Sequence, residues 1–140
     1  MAGIKIIKGK LDKIFSQYIR LRDRVSMTHC RCVDCGRLID MKYECDAGHF
    51  VPRGRLSTRY HEQNVHAQAK KCNNKNWNQG EQYKHGKAID RLYGEGTADR
   101  LMSMPKDGFK IDKSDYDEMI AFYTWAVEAM KQGEQIHKGE

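Results

Sequence analysis

No apolar run in this 140-residue sequence is long enough to cross a bilayer, so no membrane association is expected. The opening stretch, MAGIKIIKGK, lacks the apolar segment of a secretory signal, which argues against export. An even set of cysteines is also missing. There are five, Cys30, Cys32, Cys35, Cys45 and Cys72, and an odd count without an export signal argues against a disulfide framework. Metal binding or catalysis is the better use for them. Apolar residues make up only 39% of the chain and the mean hydropathy is −0.82, a thin core for this length that a metal staple would help. No internal repeat or low-complexity tract is present, and one domain over residues 1–140 is expected.

The charge is uneven. Of a formal +6, residues 50–91 supply the whole excess, with nine Lys/Arg against three Asp/Glu. Residues 1–27 are also basic, and residues 112–140 run acidic. A basic middle beside an acidic tail fits either a polyanion-binding face or an ordinary basic surface.

Periodicity predicts a mainly α fold with a small β-hairpin. Leu11, Ile14, Phe15, Tyr18 and Ile19 form one stripe of a helix over residues 11–25, within an N-terminal segment 1–28. Residues 29–80 follow as a core, starting with the knuckle CVDCG, whose Gly36 suits a tight reversal. Residues 38–49 read as a hairpin turning near Asp40 and Met41, and residues 51–63 as a loop. A helix carrying Cys72 is expected over residues 64–74. The remaining segment, 81–140, should be helical. It comprises a helix at 81–93, a short one capped by Thr97 and stopped by Pro105, and a last one opened by a Ser114/Asp117 capping box. That last helix shows Tyr116, Met119, Ile120, Tyr123, Val127 and Met130 on one face, which could pair two copies or pack on the first helix.

Three groups of residues could carry chemistry. Cys32-x2-Cys35-Gly36 with Cys72 is a zinc-knuckle pattern, because the turn aims two thiolates at one point. A second C-x2-C would end at Cys72, but Ala69 stands at its first position. Cys45, then His66, then Cys30 are the candidate substitutes, and buried thiols without metal are the alternative. Next, His49 ends a strand between the knuckle halves and is a candidate general base, with Asp46 and Asn73 as oxygen ligands for a hard divalent ion. Lastly, Arg53, Arg55, Arg59, Lys70, Lys71, Lys75, Lys84 and Lys87, interleaved with Tyr60, Trp77 and Tyr83, suit backbone phosphates and unpaired bases. A solvated surface, with Trp77 in the core, is the plainer reading.

These residues resemble the NinG/Rap recombination endonucleases of lambdoid phages. YIRLRD at 18–23, Cys32-x2-Cys35-Gly36-Arg37, DAGHF at 46–50, RYHEQNVHAQ at 59–68 and Cys72-Asn73 carry the likeness, over residues 18 to about 96. It implies a zinc-stapled ββα-metal (HNH-like) nuclease core flanked by helices. The implied enzyme is an endonuclease that cuts Holliday junctions and D-loops in the cytoplasm of the bacterial host, with Mg²⁺ or Mn²⁺ at the catalytic site. Symmetric nicking of a junction points to a homodimer. The sequence departs from the family at Ala69, and from HNH enzymes at Gly48, where a ligand usually precedes the histidine.

Overall fold

The computed structural model describes residues 3–73 and 79–133. The apolar stripe of the first helix, α1 (Ile4–Arg22), buries Ile7, Leu11, Phe15, Tyr18, Ile19 and Leu21. Its cover is the last helix, α5 (Lys113–Lys131), which buries Tyr116, Tyr123, Ala126, Val127 and Met130 in the same core. The ring of Tyr123 lies 5.0 Å from Phe15 and 4.8 Å from Tyr18. The stripe considered for pairing two copies therefore packs on α1 within one chain. Two tyrosines, Tyr18 and Tyr123, donate hydrogen bonds of 2.9 Å to the carboxylate of Glu62 and satisfy their polar ends beside this core. Among the described residues no helix is long and apolar enough to cross a membrane.

In sequence, two small antiparallel sheets come between the two helices. Strand β1 (His29–Arg31) pairs with β2 (Leu38–Asp40), and β3 (Cys45–His49) pairs with β4 (Val65–Ala69). This corrects the expected 38–49 hairpin, whose arms belong to different sheets. The turn exists, because the Asp40 carboxylate accepts from the N–H groups of Lys42 and Tyr43 at 2.9 Å each, but it redirects the chain to a new partner. The described part of the expected 64–74 helix, residues 64–73, is also not a helix. All five residues of β4 are buried, so the segment is a strand covered on both faces, and Cys72 sits on the turn after it. Within the expected 51–63 loop, α2 (Leu56–Arg59) and a 3₁₀ turn (Glu62–Asn64) form.

Helix α3 (Gln79–Tyr93) follows β4, and α4 (Thr97–Met102) follows α3. Thr97 is the first helical residue of α4, not its cap. The cap is Gly96, and Thr97 instead donates to the Gly94 carbonyl at 2.7 Å. No side-chain cap opens α5, whose N-cap is Asp112; Lys113 pairs with Asp117 across one turn. Among the described residues there are five helices and two small sheets, with β3, β4 and α3 in the order of a ββα-metal core. α3 is joined to β4 by a buried polar chain in which His66 Nδ1 meets His85 Nε2 at 3.1 Å and His66 Nε2 meets the Tyr93 hydroxyl at 2.8 Å.

Candidate metal centre and active site

The knuckle is shaped by backbone bonds. Cys32 N–H donates to the Arg37 carbonyl, Gly36 N–H to the Cys32 carbonyl, and Gly36 takes φ +73°, which a side chain rarely adopts. Val33 N–H donates to the Ala67 carbonyl at 2.9 Å and moors the turn on β4. The turn after β4 brings Cys72 alongside, and the sulfurs of Cys32, Cys35 and Cys72 all lie within 4.8 Å of one another. Thiolates sharing a tetrahedral zinc stand about 3.8 Å apart, so small movements would close these three on one ion. Burial, together with the sulfurs of Cys32 and Cys35, pushes the Cys72 thiol up, and a bound cation would reverse that cost. The cluster can chelate a metal.

Ala69 stands at the edge of this cluster, its N–H 3.3 Å from Cys32 Sγ. None of the three expected substitutes joins. Cys45 and Cys30 contact each other instead, Cys30 donating to the Arg20 carbonyl at 3.2 Å and Cys45 to the Asp46 carbonyl at 3.5 Å. His66 is committed to His85 and Tyr93. Among the described residues the cluster has three ligands.

His49 ends β3 in a cleft of about 140 Å³ lined by Asp12, Phe15, Ser16, Ala47, His49, Arg53 and Asn73. Its Nε2 lies 2.9 Å from the Arg59 carbonyl oxygen. A carbonyl only accepts, so this nitrogen carries the proton and the lone pair is left on Nδ1. Burial, with the charges of Arg53 and Arg59 adding to it and the Arg59 carbonyl opposing, lowers the imidazole pKa to about 4. At neutral pH His49 is uncharged.

Asp46 and Asn73 also come together, Asn73 Nδ2 donating to Asp46 Oδ2 at 3.1 Å. Asn73 thus links Asp46 to the cleft of His49. The other carboxylate oxygen, Asp46 Oδ1, pairs with the Lys70 ammonium at 2.6 Å, so a cation bound by Asp46 would have to displace these donors. Gly48 cannot be a ligand, but its bareness has a cause: a Cβ there would run into the side chain of Gln68 on the paired strand.

The basic residues divide. Arg53 is 57% exposed at the cleft, and Lys70 56%. Arg55 instead bridges to the Met102 carbonyl at 2.7 Å, and Arg59, 14% exposed, is held by Asp12. Lys71 is exposed on the turn before Cys72. Lys75 and Trp77 lie outside the described residues.

Two residues escaped sequence reasoning. Asn64 is fully buried, accepting from Val51 N–H at 2.8 Å and donating to the carbonyls of Val51 and Thr58 at 3.1 Å each. It fixes both ends of the loop that leaves His49, and its place directly before β4 was the available signal. Asp12 on α1 accepts from Arg53, Arg59 and Tyr60, and an aspartate in an amphipathic helix gives no such signal.

The family model described as Bacteriophage Lambda NinG protein matches residues 4–134 of this chain. No curated protein and no solved structure matches it.

Proposed function

The chain belongs to the NinG family, and from that premise we propose that it is a metal-dependent endonuclease cutting branched DNA such as Holliday junctions and D-loops. Family membership and the metal-capable cysteine cluster support the coarser reading, a nuclease-like role associated with DNA recombination. The observation that carries the enzyme reading is the single cleft shared by His49, with its Nε2 tied to a carbonyl, and Asn73, itself bonded to Asp46.

In this reading His49 Nδ1 takes the proton of the attacking water as the water oxygen bonds to phosphorus, the bond from phosphorus to the leaving oxygen breaks, and that oxygen takes a proton from solvent. Asp46 and Asn73 would hold Mg²⁺ or Mn²⁺, which supplies positive charge at the phosphate and the leaving oxygen. Arg53 contacts the backbone phosphate at the cleft, and Lys70 and Lys71 extend the track, with Lys75 as a further candidate. Arg55 and Arg59 hold the loop in shape. The test is incubation with a synthetic four-way junction, matched duplex and single strand, with and without Mg²⁺ or Mn²⁺. Cleavage restricted to the junction and dependent on metal is expected. Equal cutting of duplex would move the enzyme to the ordinary HNH class. Sedimentation of the same complex should find two chains per junction, since symmetric nicks need two sites.

A second reading is favoured by the three-ligand cluster alone: a zinc module that binds branched DNA without cutting it. Junction binding with no cleavage under any divalent ion would select it.

Under both readings one zinc is held by Cys32, Cys35 and Cys72. Cys35→Ser should lower both zinc content and melting temperature, because metal binding and folding are linked in small sites. Elemental analysis showing no zinc in the wild type, with stability indifferent to chelators, would reduce these cysteines to core packing.

Affinity for DNA should fall steeply with salt. Arg53→Ala should reduce the slope of log affinity against log salt by about 0.9, the share of one released phosphate contact. Arg55→Ala should leave the slope alone and lower stability, since its guanidinium ties the loop to the end of α4. An unchanged slope for Arg53→Ala would place the DNA path elsewhere.

A further inference from the structure

Asp12 lies on α1, outside the ββα module, yet its carboxylate lines the same cleft as His49. Four donors converge on it. Oδ1 accepts from Arg59 Nε at 3.0 Å and the Tyr60 hydroxyl at 2.8 Å, and Oδ2 from Arg59 Nη2 at 2.5 Å and Arg53 Nη2 at 2.8 Å. The guanidinium of Arg59 is therefore held as a fork, the most directional way a carboxylate can fix an arginine. Its remaining arm, Nη1, donates to the Arg53 carbonyl at 3.3 Å, which closes the loop over residues 53–59. With its side chain 14% exposed, Arg59 has little room to move. The carbonyl of this same residue accepts from His49 Nε2.

We infer that Asp12 is a positioning residue for His49: by fixing Arg59 it fixes the carbonyl that keeps the imidazole proton on Nε2 and the lone pair on Nδ1. The rate consequence rests on the endonuclease reading above; the link from Asp12 to the imidazole does not. A histidine base is only as good as its tautomer, because a proton on Nδ1 would leave no lone pair there to receive another. The arrangement resembles the support given to reacting imidazoles by an outer carboxylate, with a backbone carbonyl interposed.

The experiment compares wild type, Asp12→Asn and Tyr60→Phe by ¹⁵N-resolved NMR of the His49 imidazole, with cleavage and junction binding measured alongside. In the wild type the Nε2–H tautomer should dominate, with its proton protected from solvent exchange. Asp12→Asn removes the charge and turns an acceptor into a donor facing Arg59. It should speed exchange of the Nε2 proton by roughly 10-fold or more, mix the tautomers, and lower kcat roughly 10- to 100-fold, with the Kd for the junction nearly unchanged. Tyr60→Phe, which leaves the Arg59 fork intact, should behave as wild type in the imidazole spectrum. If Asp12→Asn does not fold, Arg59→Lys tests the same link, since it keeps the charge but not the fork. A folded variant of either kind that retains a protected Nε2–H and a single tautomer would overturn the inference. If the wild type cuts no DNA, the endonuclease reading falls, and the spectra still decide whether Asp12 governs the imidazole.

Discussion

His49→Ala should lower the rate of junction cleavage by a factor on the order of 10²–10⁴, the usual cost of losing a general base. Junction binding should survive, because the groups assigned to the phosphates, Arg53 and Lys70, are exposed and do not touch the imidazole through any hydrogen bond. The fold should survive as well. His49 ends β3, and among the described residues its imidazole makes one hydrogen bond, to the Arg59 carbonyl, while the loop beside it is independently held by Asn64 and by Asp12. Loss of rate without loss of affinity is then the signature of a missing proton acceptor. Added imidazole, small enough for the vacated space, should restore part of the rate. An alanine variant that cuts at the wild-type rate would put the active site elsewhere in the molecule.

Mild acid should destabilise the protein sharply through His66 and His85. Burial chiefly, helped by Arg22 beside His66 and by His66 and His49 beside His85, pushes both histidines down to about 3. In an unfolded chain the same groups titrate near ~6.5. Above that value neither state binds protons there and stability is at its full level. As pH falls below ~6.5 the unfolded state gains protons that the folded state refuses, so stability drops continuously towards the folded values. At pH ~4 each histidine acting alone would have removed on the order of 3 kcal/mol, a large part of the margin of a small domain. The pair shares a hydrogen bond, so the two contributions do not add in full. His66→Gln isolates one of them. Its absolute stability will fall, since contacts to His85 and Tyr93 are lost, but the slope of unfolding free energy between pH ~6 and ~4.5 should become shallower by about 1.4 kcal/mol per pH unit. The metal cluster contributes to both proteins alike and cancels in the comparison. Denaturant titrations that give equal slopes for wild type and variant would mean that His66 takes up its proton in the folded protein over the same pH range as in the unfolded chain.

How far the sequence disclosed this molecule depended on how local each signal was. The stripes of α1 and α5 are properties of single helices, and they were legible, although which surface α5 would cover was not. The knuckle was legible because a glycine at Gly36 and two cysteines three apart are one local turn. Strand pairing was not. Residues 38–49 contain a real turn at Asp40, but the partner of β3 is β4, across the loop that follows His49. β4 itself alternates Val65, Ala67 and Ala69 with His66 and Gln68, a period of two hidden by residues that favour helices. At the candidate site, His49 and Asn73 line one cleft, and Asp46 reaches it through its hydrogen bond with Asn73. The fourth zinc position was sought among Cys45, His66 and Cys30, each of which has other partners in the fold. Asp12 was invisible because its partners, Arg53, Arg59 and Tyr60, lie on a different element far along the chain.

The packing of α1 on α5 sets an order of events during synthesis. The face of α1 carrying Leu11, Phe15 and Tyr18 is made early, and the helix that covers it is made some ninety residues later. Closing a loop of that length costs about 4 kcal/mol in chain entropy, so the pair cannot form ahead of the contacts between them. Until α5 leaves the ribosome, an aromatic surface stays open to chaperones or to other nascent chains. The knuckle and the β3–β4 sheet are complete well before that, and α1 already has partners there, through Asp12 to Arg53, Arg59 and Tyr60 and through Arg22 to the carbonyls of Glu62 and Val65. A chain that stops before residue 113 therefore keeps the polar ties of α1 to the central module but leaves Leu11, Phe15 and Tyr18 without the helix that covers them.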